Sequence, residues 1–212
     1  MVKTAILVSG GGTNLQAIID AHIFGEIKNC ELTAVISSNP QAYALQRAEY
    51  AGIPAYVVDP AIFPSRISFT KALLEKLQDL SIELVVYAGF NFITSPQLIK
   101  AYENNLINIH PSLIPSFCGE GFYGLNVHRA VLAHGVKLTG ATAHFVTEDV
   151  DDGPIILQKA VNVLEDDTPE TLQRRVLEEA EWKILPEAIS LFCERRLEID
   201  GRIVKIKGGI DD

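Results

Sequence analysis

The apolar positions in the first half of the chain fall in short continuous runs separated by amphipathic stretches. Thr4 to Val8 reads as a buried strand, Leu32 to Ile36 as a second, Ala55 to Val58 as a short third and Leu84 to Tyr87 as a β-branched fourth. Between them, Asn14 to Phe24 and Ala42 to Ala51 carry helical spacing, the latter opened by Asn39-Pro40 and closed by Gly52. Ser65 is placed to cap a helix running to about Asp79. Continuous apolar strands alternating with helices predict an α/β fold with a parallel sheet covered on both faces.

The pattern changes after residue 110. Pro111 to Gly124 holds two prolines, three glycines and three aromatics without periodicity, and reads as an irregular loop. Asn126 to His134 is a short helix. Leu138 to Thr147 and Ile155 to Val163 are strand-like, joined by the acidic turn Glu148-Asp149-Val150-Asp151-Asp152-Gly153-Pro154. Thr168-Pro169 supplies an N-cap and a proline at the first helical position of the last long helix, and Pro186 inside it predicts a kink. Asp200-Gly201 between two apolar runs is a hairpin signal. With no repeat or linker, the expectation is one domain over 1–212, its halves 1–107 and 108–212 differing in character.

Composition narrows the function. Of 212 residues, 48% are hydrophobic, enough for a sizeable core. No apolar run reaches the roughly 18 residues of a membrane span, and Met1 to Val8 lacks the features of a signal peptide, so a cytoplasmic protein is expected. The net charge of −9 argues against a nucleic-acid partner, which calls for a basic face. Cys30, Cys118 and Cys193 are far apart and form no CxxC pair, which speaks for packing roles over a metal or redox site.

Ser9-Gly10-Gly11-Gly12-Thr13-Asn14 lies between the first strand and the first helix. Glycines there let the backbone approach an anion, and the helix start adds free N–H groups and a positive dipole end. A tight turn without a ligand would use the same residues. A P-loop is excluded because no Gly-Lys-Ser/Thr follows. A dinucleotide fingerprint fails because Leu15 takes the place of its last glycine and Ile36-Ser37-Ser38-Asn39 offers no acid for a ribose. One phosphate suits the turn better than NAD.

Asn108 and His110, two apart on an extended segment, share a face at the expected end of the fifth strand, where open α/β sheets bind ligands. A carboxylate from the 148–152 turn would orient the imidazole and favour its protonated form. An EF-hand reading of that turn fails because Ala160 stands where the closing glutamate belongs. His22, His128 and His134 fall in helices and read as surface or capping groups. His144 reads equally as a supporting group or as core.

Ser9 to Gln16, Asn108 to Pro115, Gly140 to Val146, Asp151 to Gln158 and Glu181 to Pro186 together resemble the phosphoribosylglycinamide formyltransferase family of folate-dependent formyltransferases. The resemblance runs from about residue 2 to about residue 195. It implies a Rossmann-like, mostly parallel sheet extended by an antiparallel C-terminal part. It also implies formyl transfer from 10-formyltetrahydrofolate to glycinamide ribonucleotide in purine biosynthesis. Residues 1–107 would be the mononucleotide-binding half, and 108–212 the catalytic and folate-binding half. Gly12, Thr13 and Asn14 match positions that hold the substrate phosphate, and Glu181 a carboxylate that helps bind the ribonucleotide. Arg66, Asn91, Phe92, Ile93, Thr94, Asn108, Glu148, Asp149, Val150 and Asp152 match folate-binding positions. Asn108, His110 and Asp151 match the catalytic set. Asn91-Phe92 stands where many members carry Met-Arg, and Asp152 where many carry a small residue. No metal, membrane or nucleic-acid partner is implied, and a monomer or homodimer is expected. Formyltetrahydrofolate deformylase, using the same polar set with water as nucleophile, is the alternative.

Overall fold

In the computed structural model, which describes residues 1–208, the opening run Val2–Val8 forms β1 and is buried at all but one position. This lack of alternation is what a strand covered on both sides requires. β2 (Cys30–Ser37), β3 (Ala55–Val57) and β4 (Leu84–Tyr87) follow, and the order β3-β2-β1-β4 is parallel throughout. The chain divides into two compact units, Met1–Ile107 and Asn108–Asp212, and these four strands belong to the first. The one-domain expectation extends over residues 209–212, which lie outside the described residues.

Three helices connect the strands of the first unit. α1 (Thr13–Ile23) buries Leu15, Ile18 and Ile19, the spacing of one helical face. α2 (Tyr43–Tyr50) buries Ala44 and Ala48. α3 (Arg66–Asp79) starts at Ser65 as expected. The Ser65 hydroxyl accepts from the Ser68 amide and the Ser68 hydroxyl from the Ser65 amide, both at 3.2 Å. This is a capping box with serine in the usual place of Glu or Gln, and it satisfies two amides that the helix cannot. Phe69, Leu73 and Leu77 then line its inner face, each buried apolar side chain contributing about 1.5–3 kcal/mol. A short helix α4 (Pro96–Ala101) was not foreseen, although Ser95-Pro96 is a helix-start signal.

β5 (Leu106–His110) carries the chain across the boundary at residue 107. In the second unit, α5 (Leu125–His134) leads to β6 (Leu138–Phe145), which pairs antiparallel with β7 (Ile155–Asn162). Their register shifts between Ala143 and His144, the kind of irregularity that re-aims a side chain. Thr168 caps α6 (Pro169–Val176), again in a capping box. α7 (Trp182–Cys193) runs through Pro186, where a kink was expected. The departure from α-helical geometry lies earlier, as a π turn over Leu177–Glu181. Pro186 has no N–H for the carbonyl of Trp182, so the irregular turn adjoins the group the proline leaves unbonded. β8 (Leu197–Asp200) and β9 (Ile203–Ile206) form the expected hairpin around Gly201, which takes φ 61°. The chain is thus α/β, parallel in its first unit and largely antiparallel toward its C-terminal end.

Candidate active site

The second unit gathers Asn108, His110, His144 and Asp151. β5 presents Asn108 and His110 on one face, as their spacing predicts. β6 supplies His144 just after its register shift, and the acidic turn supplies Asp151. His110 Nδ1 lies 3.3 Å from Asp151 Oδ2, and His144 Nε2 lies 3.7 Å from Asp151 Oδ1. The Asn108 side-chain nitrogen is 3.1 Å from His144 Nε2 and 3.4 Å from Asp151 Oδ1. Asp151 also accepts from the Gly119 amide at 3.0 Å, and it adopts φ 55°. Left-handed backbone is uncommon for a side-chain-bearing residue and clusters at functional sites. Gly153 closes the same turn. A Cβ there would collide with the Phe145 carbonyl oxygen, so only glycine lets the turn fold back onto β6.

The protons can be placed by their partners. His144 Nδ1 lies 2.9 Å from the Phe145 carbonyl, so this nitrogen carries the proton and Nε2 accepts from Asn108. That fixes the Asn108 amide, since a flipped amide would set its oxygen against the Asp151 carboxylate. His110 stands between two acceptors, with Nε2 3.0 Å from the Phe117 carbonyl. Burial pushes the His110 imidazole below its ordinary pKa, while Asp151 and the Phe117 carbonyl oppose the shift only in part. A net rise from Asp151 was expected; desolvation outweighs it. For Asp151, burial pushes upward, but the His110 charge and the Gly119 amide help to hold the carboxyl below its usual range. Among the described residues, no group of three or more His, Cys, Asp or Glu could hold a metal ion.

The other residues expected in the second unit differ in setting. Glu148, Asp149 and Val150 are exposed on the acidic turn. Asp152 points away into an exposed pair with Arg202, both contacts at 2.9 Å. Glu181 is buried at the end of the π turn, a geometry often found at functional positions. His128 is fully buried in α5, contrary to the surface role expected, and neither ring nitrogen has a partner among the described residues. Burial, with His110 nearby, pushes its pKa down to about 4.

In the first unit, Gly12 takes φ 71° at the start of α1. A Cβ there would lie 2.7 Å from Ala44 Cβ, so both conformation and close helix packing demand glycine. Thr13 is exposed and Asn14 buried. Arg47 Nε donates to the Gly11 carbonyl at 2.8 Å. Asn91, Phe92 and Ile93 are exposed, with Phe92 packed on Phe69 at 5.2 Å between ring centroids. Thr94 turns inward to the Tyr87 hydroxyl at 3.0 Å, and Arg66 is exposed at the first turn of α3. The Asn91 amide donates to Ser9 Oγ at 2.9 Å. Sequence reasoning did not single out Ser9, Phe117 or Gly119, whose roles depend on long-range folding.

The formyl transferase family model matches residues 2–189. A phosphoribosylglycinamide formyltransferase of Escherichia coli (strain K12) is 39% identical over 198 residues, spanning 93% of this chain and 90% of that protein. A trifunctional purine biosynthetic protein adenosine-3 of Gallus gallus is 42% identical over 93% of this chain, which spans only 19% of that protein's length. The crystal structure of glycinamide ribonucleotide transformylase 1 from Symbiobacterium toebii superposes with a TM-score of 0.92 at 49% identity, covering 98% of this chain and 94% of that one.

Proposed function

Because this chain belongs to the formyl transferase family, we propose that it transfers the formyl group of 10-formyltetrahydrofolate to the amine of glycinamide ribonucleotide, giving formylglycinamide ribonucleotide and tetrahydrofolate in purine biosynthesis. The observation that carries this reading is the convergence of Asn108, His110 and Asp151 in one part-buried cluster. Donors beside a fixed carboxylate suit acyl transfer, which needs stabilised oxyanion and a route for one proton. We assign residues 1–107 as the mononucleotide-binding half, with Gly12, Thr13 and Asn14 holding the phosphate, and 108–212 as the catalytic and folate-binding half. Arg66, Asn91 to Thr94 and the 148–152 turn are assigned to folate, and Glu181 to the ribonucleotide. Cys30, Cys118 and Cys193 form no disulfide among the described residues, which fits a reducing compartment, and we place the reaction in the cytoplasm.

The neutral amine attacks the formyl carbon and the formyl oxygen becomes an oxyanion. His110 Nε2 donates to that oxygen once the Phe117 carbonyl withdraws from it. The growing negative charge offsets the burial that depresses the imidazole, so the ring holds its proton best when the oxyanion forms. Asn108 has one N–H held by His144. The other, in the long 3.4 Å contact with Asp151, is the one to be redirected to the oxyanion. Asp151 carries the proton lost by the amine to the folate nitrogen. The bond between formyl carbon and that nitrogen breaks as the new amide forms, leaving formylated product and tetrahydrofolate.

The test mixes the protein with 10-formyltetrahydrofolate, with and without glycinamide ribonucleotide. Tetrahydrofolate release that requires the acceptor is expected. Equal release without it, accompanied by formate, would identify the deformylase.

A further inference from the structure

We propose that Ser9 is a positioning residue that couples the segment Asn91 to Thr94 to the Gly10 to Asn14 turn, so that a ligand on either is felt by the other. This rests on the assignment of folate to the first segment and phosphate to the second. Ser9 directly follows β1 and is tied in four directions. Its hydroxyl accepts from the Asn91 amide at 2.9 Å and stands 2.7 Å from the Ser38 hydroxyl. Its amide donates to the Gly89 carbonyl at 3.1 Å, and its carbonyl accepts from the Asn39 side chain at 3.3 Å. One residue thereby stitches together the segments that leave the C-terminal ends of β1, β2 and β4, where open α/β sheets place their ligands.

The next residues move with it. The Gly10 carbonyl accepts from Ala44 at 3.1 Å and the Gly11 carbonyl from Arg47. The turn is therefore pinned on its α2 side and joined through Ser9 to Asn91 on the other. Asn91, Phe92 and Ile93 are exposed, so the hydroxyl that holds the Asn91 amide decides where the segment begins. An anion that orders the turn orders Ser9, and Ser9 then presents Asn91 to Ile93 in their bound arrangement. Such coupling is reciprocal in free energy.

The experiment measures tetrahydrofolate binding by calorimetry, alone and with saturating glycinamide ribonucleotide, a pair that cannot react. It uses wild-type protein, Ser9→Ala, Ser9→Thr and Ser38→Ala. In wild type, the ribonucleotide tightens tetrahydrofolate by about fivefold or more. In Ser9→Ala that ratio falls to about one, and Ser9→Thr, which keeps the hydroxyl, restores it. Ser38→Ala retains the Asn91 bond and the coupling. A wild-type ratio of one, or an unchanged ratio in Ser9→Ala whatever its melting temperature, overturns the coupling while leaving the function intact. Wild-type protein that binds neither ligand overturns the functional reading and the coupling with it.

Discussion

His110 and Asp151 face each other across 3.3 Å, ring Nδ1 to carboxylate Oδ2, although 41 positions separate them along the chain. Removing either group tests its role directly. Asp151→Asn keeps the size and can still accept from Gly119, but it loses the charge that holds the imidazole proton. His110→Ala removes the donor. Each lowers kcat by about 100-fold or more, the scale of one lost oxyanion donor for His110 and of lost general acid–base catalysis for Asp151. The ribonucleotide KM changes far less, because neither group is assigned to the phosphate. Steady-state kinetics on the two variants decide the matter, and near-normal turnover in either removes that residue from the chemistry.

The buried His128 predicts an acid-sensitive fold. Its folded pKa is about 4 against an ordinary 6.5. Above 6.5 both folded and unfolded chains hold it neutral, so its contribution to stability does not change with pH. As pH falls from 6.5 toward 4 the unfolded chain takes up the proton and the folded chain does not, so stability drains away. Below 4 the loss is constant, at about 3 kcal/mol. The melting temperature of His128→Phe therefore rises relative to wild type as pH drops below 7.5. Parallel melting curves for the two proteins from pH 7.5 to 4.5 would contradict this account.

The sequence announced what short-range chemistry controls. Ser65 and Thr168 cap helices because their side chains reach amides three residues on. Asn108 and His110 share a face because a strand has period two. The partners of those two residues were harder to see. Asp151 could be drawn to His110 only by resemblance, and His144 reached Asn108 through a register shift that no local pattern encodes. His128 looked like a helix-surface residue because the side of α5 that is covered depends on packing. Ser9 looked like part of a glycine-rich turn, yet its hydroxyl bonds Ser38 and Asn91. What stayed hidden was pairing over long sequence distance.

Phosphate binding by the Gly12 turn makes a second kinetic prediction. Thr13 is exposed and its hydroxyl is free to donate to an anion. Thr13→Val keeps the shape and removes the donor, raising the KM for glycinamide ribonucleotide by roughly tenfold with little change in kcat. Gly12→Ala must clear Ala44 at 2.7 Å and hold φ 71°, so it raises the same KM and also lowers the melting temperature. An unaltered KM in Thr13→Val would take that side chain out of the site.

Gly153 links fold to chemistry in the second unit. A methyl group there meets the Phe145 carbonyl oxygen, so Gly153→Ala has to lift the acidic turn off β6. Asp151, two residues earlier, moves with the turn, and its 3.0 Å bond to Gly119 lengthens or breaks. The expected result is a fall in kcat of about 100-fold or more, since a displacement near 1 Å is costly at a reacting centre. Thr13→Val provides the contrasting case with kcat preserved. Full turnover in Gly153→Ala would mean that Asp151 need not stand where it does.

Asp152 provides the sharpest discrimination, because it adjoins Asp151 and carries the same charge. Asp151 is turned inward against two imidazoles, whereas Asp152 lies exposed in a paired contact with Arg202. The Arg202 side chain holds the Asp152 carboxyl below the usual range, through hydrogen bonds first and charge second. A carboxylate committed to a surface arginine cannot also shuttle a proton between amine and folate. Asp152→Ala is therefore expected to keep kcat within about twofold of wild type, as surface substitutions do, while its folate KM reports any contact from the turn. Arg202→Gln should behave alike, since it removes the same pair from the other side. Kinetics on both variants beside Asp151→Asn assign the acid: a collapse of kcat in Asp152→Ala would transfer the proton-carrying role from Asp151 to its neighbour.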